Sequence, residues 1–239
     1  MKILGVIGGL GPMATAYFMQ LIVEMTDAAT DQEHIEVMVH SKPRIPDRTN
    51  FIIGKSHENP VTDMTEVGKR LAEQGADLLA IPCITAHYFQ KELEANIGIP
   101  ILNAIEETAE YLAERKIDKV GIMATDGTAE SGIFQRELEK RNIEVILPSE
   151  ECQKKVMYLI YENVKAGKPM EEVAFQEVSK ALFKKGAQVV LLGCTELSLM
   201  KRDNKLDGKY LDVMEILARK AVLSCGKLRS EYEELLSLS

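Results

Sequence analysis

Short aliphatic runs alternate with amphipathic stretches along most of the chain. The runs stand at Ile3–Ile7, Ile35–Val39, Leu78–Ile81, Lys119–Met123, Ile143–Leu147 and Val189–Leu192. Apolar residues at helical spacing fill about Pro12–Thr26, Pro60–Glu73, Ala86–Ala95, Ala104–Glu114, Ser131–Arg141, Glu151–Lys165, Met170–Lys184 and Leu211–Leu236. Strands this short and this apolar, separated by helices, predict an α/β protein with parallel-type sheets covered on both faces.

The pattern is written twice. Gly75-Ala-Asp-Leu-Leu-Ala-Ile-Pro-Cys83 and Gly186-Ala-Gln-Val-Val-Leu-Leu-Gly-Cys194 share order and length, and each cysteine is followed by a hydroxyl residue and a helical pattern. Gly121 and Gly127 likewise repeat the spacing of Gly5 and Gly11. The expectation is two pseudo-symmetric α/β domains, residues 1–103 plus 211–239 and residues 104–210. Ligands of open α/β sheets bind at the carboxyl ends of strands, so Cys83 and Cys194 would both look into an interdomain cleft. A thiol at a strand-to-helix junction meets the positive end of the helix dipole, which lowers its pKa. Free cysteines are often simply buried, but two at equivalent points of a repeat point to paired acid/base groups.

Composition narrows the partners. The 239-residue chain is 46% hydrophobic and carries a net charge of −8, which disfavours nucleic acid and leaves small anionic substrates open. Four cysteines without a CxxC, and only His87 close in sequence to one of them, disfavour structural zinc. No signal peptide or membrane span is evident, so a reduced, cytoplasmic protein is expected. Cys152 and Cys225 fall inside helical patterns and read as inert, and Lys227–Ser239 reads as a solvated, charged helix end. His87 could tune Cys83 one turn away or be purely structural.

Two loops are ambiguous taken alone. Gly9-Leu10-Gly11-Pro12-Met13-Ala14 fits a dinucleotide fingerprint, but the second strand ends Val39-His40-Ser41-Lys42 without the acid that would hold a ribose. Backbone N–H groups meeting a small anion fit it better. Ser41–Thr49 holds two prolines and two arginines; its composition favours solvated cations, with an arginine fork for a carboxylate as the alternative.

Taken together, the motifs resemble those of the cofactor-independent aspartate/glutamate racemase family. Gly8-Gly9-Leu10-Gly11-Pro12, Ile45-Pro-Asp-Arg-Thr49, Pro82-Cys83-Ile84-Thr85-Ala86-His87 and Gly193-Cys194-Thr195-Glu196-Leu197 match nearly end to end, as does a lysine-bearing stretch at Tyr158–Gly167. One departure is Ile84, where the family usually has Asn. The resemblance implies an amino-acid racemase, most simply for aspartate or glutamate, without pyridoxal phosphate or metal. Cys83 and Cys194 would act as the two bases. Gly9, Leu10, Arg48, Ile84, Thr85, Lys165 and Thr195 would hold the substrate, Arg48 and Lys165 through its carboxylates. It also implies a homodimer. The alternatives are a related isomerase or racemase for another small carboxylate, or a weakened relative that only binds ligand.

Overall fold

A computed structural model describes residues 1–169, 171–204, 206 and 208–237. Met170, at the start of the expected Met170–Lys184 helix, and the last two residues of Lys227–Ser239 lie outside the described residues. The first half runs β1 (Leu4–Gly8), α1 (Pro12–Met25), β2 (Val37–Ser41), α2 (Arg48–Ile52), α3 (Pro60–Glu73), β3 (Leu78–Ala80), α4 (Gln90–Ile97) and α5 (Ala104–Glu114). The second runs β4 (Lys119–Met123), α6 (Asp126–Ser131), α7 (Ile133–Glu139), β5 (Glu144–Ile146), α8 (Glu150–Tyr158), α9 (Glu172–Lys184), β6 (Val189–Leu192), α10 (Thr195–Asn204), β7 (Tyr210–Asp212) and α11 (Val213–Cys225). Among the described residues, β1 to β7 pair in parallel, in two sheets of order β2-β1-β3 and β5-β4-β6-β7. The α/β expectation holds, and the second sheet repeats the order of the first before adding β7.

The repeated string is structural before it is chemical. Gly75 and Gly186 have φ of 105° and 96°, the left-handed geometry that closes α3 and α9 and that a side chain resists. The polar residue two places on then ties its strand to the central one. Asp77 Oδ2 accepts from Ile3 N at 2.7 Å, and Gln188 Oε1 accepts from the N–H groups of Asp118 and Lys119 at 2.8 and 2.9 Å. Central-strand glycines admit the crossover helices: a Cβ on Gly5 would lie 3.3 Å from Leu71 of α3, and one on Gly121 2.9 Å from Leu182 of α9.

One apolar cluster spans both halves, joining Leu4 and Val6 of β1 to Val120 and Ile122 of β4 through α1, α5 and α11. α11 packs on both α1 and α5. Two further clusters cover the outer faces of the second and first sheets.

Several expected elements differ in detail. The expected helix Ala86–Ala95 begins as a 3-10 turn over Ile84–Phe89 and becomes α-helical only at α4. There the Cys83 carbonyl accepts from Ala86 N at 3.0 Å and faces His87 Nδ1 at 3.2 Å, which tightens the turn. Ser131–Arg141 is broken at Gly132, which sits at φ 66° between α6 and α7. Glu151–Lys165 ends in a π-helical segment, Leu159–Val164, after α8. The expected helix Leu211–Leu236 opens as strand β7, because Leu211 pairs with Leu191 of β6 and Asp212 caps α11 by accepting from Met214 N at 2.8 Å. Nor do the described residues of Lys227–Ser239 continue as a helix: beyond Gly226, a 3-10 turn at Ser230–Tyr232 is followed by a non-helical segment tied to Arg115 through Glu234.

Candidate active site

Cys83 and Cys194 face one cavity at the carboxyl ends of β3 and β6, each 6% exposed. Its free volume is ≈ 20 Å³, room for about one water molecule. Wider grooves of ≈ 710 and ≈ 550 Å³ open elsewhere, but neither is lined by a cysteine.

Cys83 caps the 3-10 turn Ile84–Phe89 without a side-chain capping bond, and Cys194 immediately precedes α10. Their surroundings are unequal. Arg48, buried at the start of α2, lies against Cys83. Burial opposes the guanidinium charge, yet Cys83 and Asp47 hold its pKa above the ordinary value. Its Nη1 donates to the carbonyls of Ile45 and Pro46 at 3.4 and 3.1 Å, and its Nη2 to that of Leu10 at 3.0 Å. Its Nε is buried without a protein partner, leaving part of the carboxylate-binding edge uncommitted.

Cys194 instead donates to Glu196 Oε2 at 2.9 Å. Burial pushes this thiol well up, and the Glu196 charge and hydrogen bond add to it; the Glu196 N–H and Lys165 only partly oppose them. The expected lowering by the helix dipole therefore fails at Cys194, because desolvation beside a carboxylate outweighs a helix end.

Other expected residues fall around this pair. Leu10, Ile84, Thr85, Lys165 and Thr195 all line the cavity, with Ile84 at 2% exposure presenting an aliphatic wall. Lys165 is ion-paired to Asp47 at 3.6 Å and lies 4.3 Å above the Tyr161 ring. Gly9 does not line the cavity. Its N–H donates to Thr15 Oγ1 at 2.9 Å, so it is not free for a small anion, and at φ 89° a Cβ would sit 2.6 Å from the Lys42 backbone. His87 also stands outside: burial lowers its pKa to about 4, which leaves it neutral, with Nδ1–H directed at the Cys83 carbonyl.

Asp47, Thr49, Thr125, Ile160, Tyr161 and Glu196, none of them expected from the sequence as site residues, also line the cavity. Asp47 accepts from Tyr161 Oη at 3.2 Å. Thr49, Thr85, Thr125 and Thr128 form a buried hydroxyl cluster across the two halves, with contacts of 2.9 to 3.2 Å. Asp47, Thr49 and Glu196 sit inside the quoted motifs, which was signal enough; Thr125 and Thr128 had only their place after the first strand of the second half. Among the described residues, no group of three or more His, Cys, Asp or Glu is arranged to hold a metal ion, and no helix is long and apolar enough to cross a membrane.

The sequence profile of the Asp/Glu/Hydantoin racemase family matches residues 7–221. The chain belongs to that family. It is 23% identical over 230 residues to a broad specificity amino-acid racemase of Bacillus subtilis, covering 92% of this chain and 96% of that protein. The structure superposes on an aspartate racemase of Picrophilus torridus with a TM-score of 0.87 and 31% identity, over 98% of this chain and 99% of that one. A putative Asp/Glu racemase of Yersinia pestis gives 0.80 at 27% identity, over 94% of this chain and 99% of that one. The motif resemblance thus holds, and the chain is a racemase-family enzyme.

Proposed function

We propose that the protein is an amino-acid racemase that works without pyridoxal phosphate, on aspartate or glutamate, by proton transfer between two cysteines. The observation that carries this is the unequal pair: one cavity holds Cys83 against a cation and Cys194 as a thiol hydrogen-bonded to a carboxylate. Cys83 as thiolate removes the α-proton from one face while the Cys194 S–H protonates the other; the roles reverse for the opposite enantiomer. Donors around the cavity, among them the Thr85 and Thr195 hydroxyls, stabilise the enolate-like carboxylate that develops. The uncommitted Arg48 edge suits a substrate carboxylate, with Lys165 a second anchor once Asp47 gives way.

A cavity with room for one water cannot hold an amino acid, so entry requires the halves to part. The expected boundary at residue 211 would cut β7, whose Leu211 and Asp212 pair with Leu191 and Leu192 of β6, so we take residues 1–103 with 213–237 and residues 104–212 as the two lobes that do so, in a cytoplasmic homodimer. The test is chiral chromatography of single-enantiomer amino acids after incubation with wild type, Cys83→Ala and Cys194→Ala. Racemisation of an acidic amino acid, lost in both variants while circular dichroism stays unchanged, is the expected result. Near wild-type turnover in either variant sinks the two-base reading.

A further inference from the structure

Behind the cavity lies a buried polar ladder that the proposed chemistry does not use. Ser198, one turn into α10 from Cys194, donates to Asp212 Oδ1 at 2.6 Å, and both are fully buried. One turn further along each helix, Lys201 pairs with Glu215 at 2.7 Å, their side chains only 16% and 15% exposed. The same Asp212 oxygen caps α11, and Asp212 Oδ2 is buried without a partner. α10 thus carries Cys194, Thr195 and Glu196 at its head and two polar rungs along its flank. The helix on the other side of those rungs is α11, seated on α1 and α5.

We propose that Asp212 and Glu215 are positioning residues for Cys194, holding α10 against α11 through Ser198 and Lys201 with a grip that depends on pH. The proposal rests on the reading of Cys194 as a catalytic thiol. Two carboxylates here face one lysine, so full ionisation leaves an uncompensated negative charge in a dry interface. Burial first, then the charge of Asp212, pushes Glu215 up to about 7, against the opposing pull of Lys201. Burial likewise raises Asp212. Tyr17 of α1 and Tyr232 also face the pair, and Glu24 of α1 and Arg202 of α10 lie beside those tyrosines. Tyr17 is itself pushed up, by burial and then by Asp212, Glu215 and Glu24, with Arg202 opposing. Arg202 lies 5.2 Å from the Tyr17 ring and is paired with Asp203, and Tyr232 is raised by burial and nearby acids, Glu215 among them. None of these supplies a second cation to Glu215. One proton taken up by the carboxylate pair near neutrality leaves a balanced ladder; its loss sets Asp212 against Glu215 and loosens the rungs.

The experiment measures alkylation of Cys194 relative to Cys83 by iodoacetamide, read by peptide mass spectrometry from pH 5.5 to 8.5. Cys83 shares the cavity and its opening, and the ionisation of the two thiols is common to wild type and the α11 variants, so the change of this ratio between variant and wild type at each pH isolates the pose of α10. In wild type the ratio should rise through a step near pH 7. Glu215→Gln should abolish the step, and Ser198→Ala should shift the ratio at least about threefold at pH 6. Asp212→Asn should act as Ser198→Ala does; if it fails to fold, the other two variants decide. A step near pH 7 that survives in Glu215→Gln, or an unchanged ratio in Ser198→Ala, overturns the proposal. Labelling needs no turnover, so it decides the matter even if no amino acid is racemised. If racemisation is found, the pH profile of kcat should lose the same inflection in Glu215→Gln.

Discussion

At the scale of single residues, the site turns on what each cysteine touches. Cys194 is kept protonated by burial and by Glu196. Replacing Glu196 with Gln removes the charge but keeps an acceptor of similar shape. Iodoacetamide labelling of Cys194 should then extend to lower pH. Racemisation should fall at least about tenfold, the scale of losing a charge-assisted hydrogen bond. Unchanged labelling would mean that desolvation alone sets this thiol. Ile84 is the other informative residue, since it lines the cavity and packs into the core with Leu4 and Val6. Ile84→Asn places an amide where the surroundings are apolar, at roughly 1–3 kcal/mol, or about 2–6 °C in Tm for a chain of this size. If Ile84 bounds the substrate side chain, the variant should gain on aspartate relative to neutral amino acids. Parallel changes for every substrate would make it a core residue only.

At the scale of elements, motif and structure agree where one short segment fixes geometry and diverge where tertiary pairing decides. The two cysteine-tipped strands were legible because an aliphatic run, a cysteine and a helical pattern adjoin within one short segment, whereas Arg48 and Thr49, expected in a loop, open α2. β7 was not legible: Tyr210-Leu211-Asp212 reads as the start of an apolar helix, and only the pairing of Leu211 with Leu191 makes it a strand. The π-helical segment Leu159–Val164 was equally hidden, because one inserted residue leaves helical periodicity nearly intact. That segment presents Ile160 and Tyr161 to the cavity, and Asp47 holds it through Tyr161 and Lys165. Asp47→Asn keeps the cap on Asn50, since Asn caps as well as Asp, while the charge facing Lys165 is lost. Amide hydrogen exchange across residues 159–168 should quicken severalfold relative to α8. Equal protection in the variant would remove Asp47 as the latch of that wall.

At the scale of the whole molecule, two buried groups on opposite sides of the site set opposing pH dependences of stability. Glu215 has a folded pKa of about 7, above its ordinary carboxyl value, so the native state holds a proton the unfolded chain has released. Its contribution is present at low pH and is lost as pH rises from about 4.5 to 7. His87 behaves oppositely: its folded pKa of about 4 lies below the ordinary imidazole value, so stability is lost as pH falls from about 6.5 to 4. Each shift corresponds to a difference on the order of 3 kcal/mol. Between about pH 4.5 and 6.5 the two slopes oppose and largely cancel. Removing either group should uncover the other. The stability of Glu215→Gln relative to wild type should climb as pH rises from 4.5 to 7, and that of His87→Asn should climb as pH falls from 6.5 to 4. Urea unfolding at intervals across that range measures both differences, with constant offsets from lost packing leaving the slopes untouched. A flat or falling difference for Glu215→Gln would show that the α10–α11 carboxylate is not held protonated near neutrality, and would remove the electrostatic basis for a pH-dependent grip on Cys194.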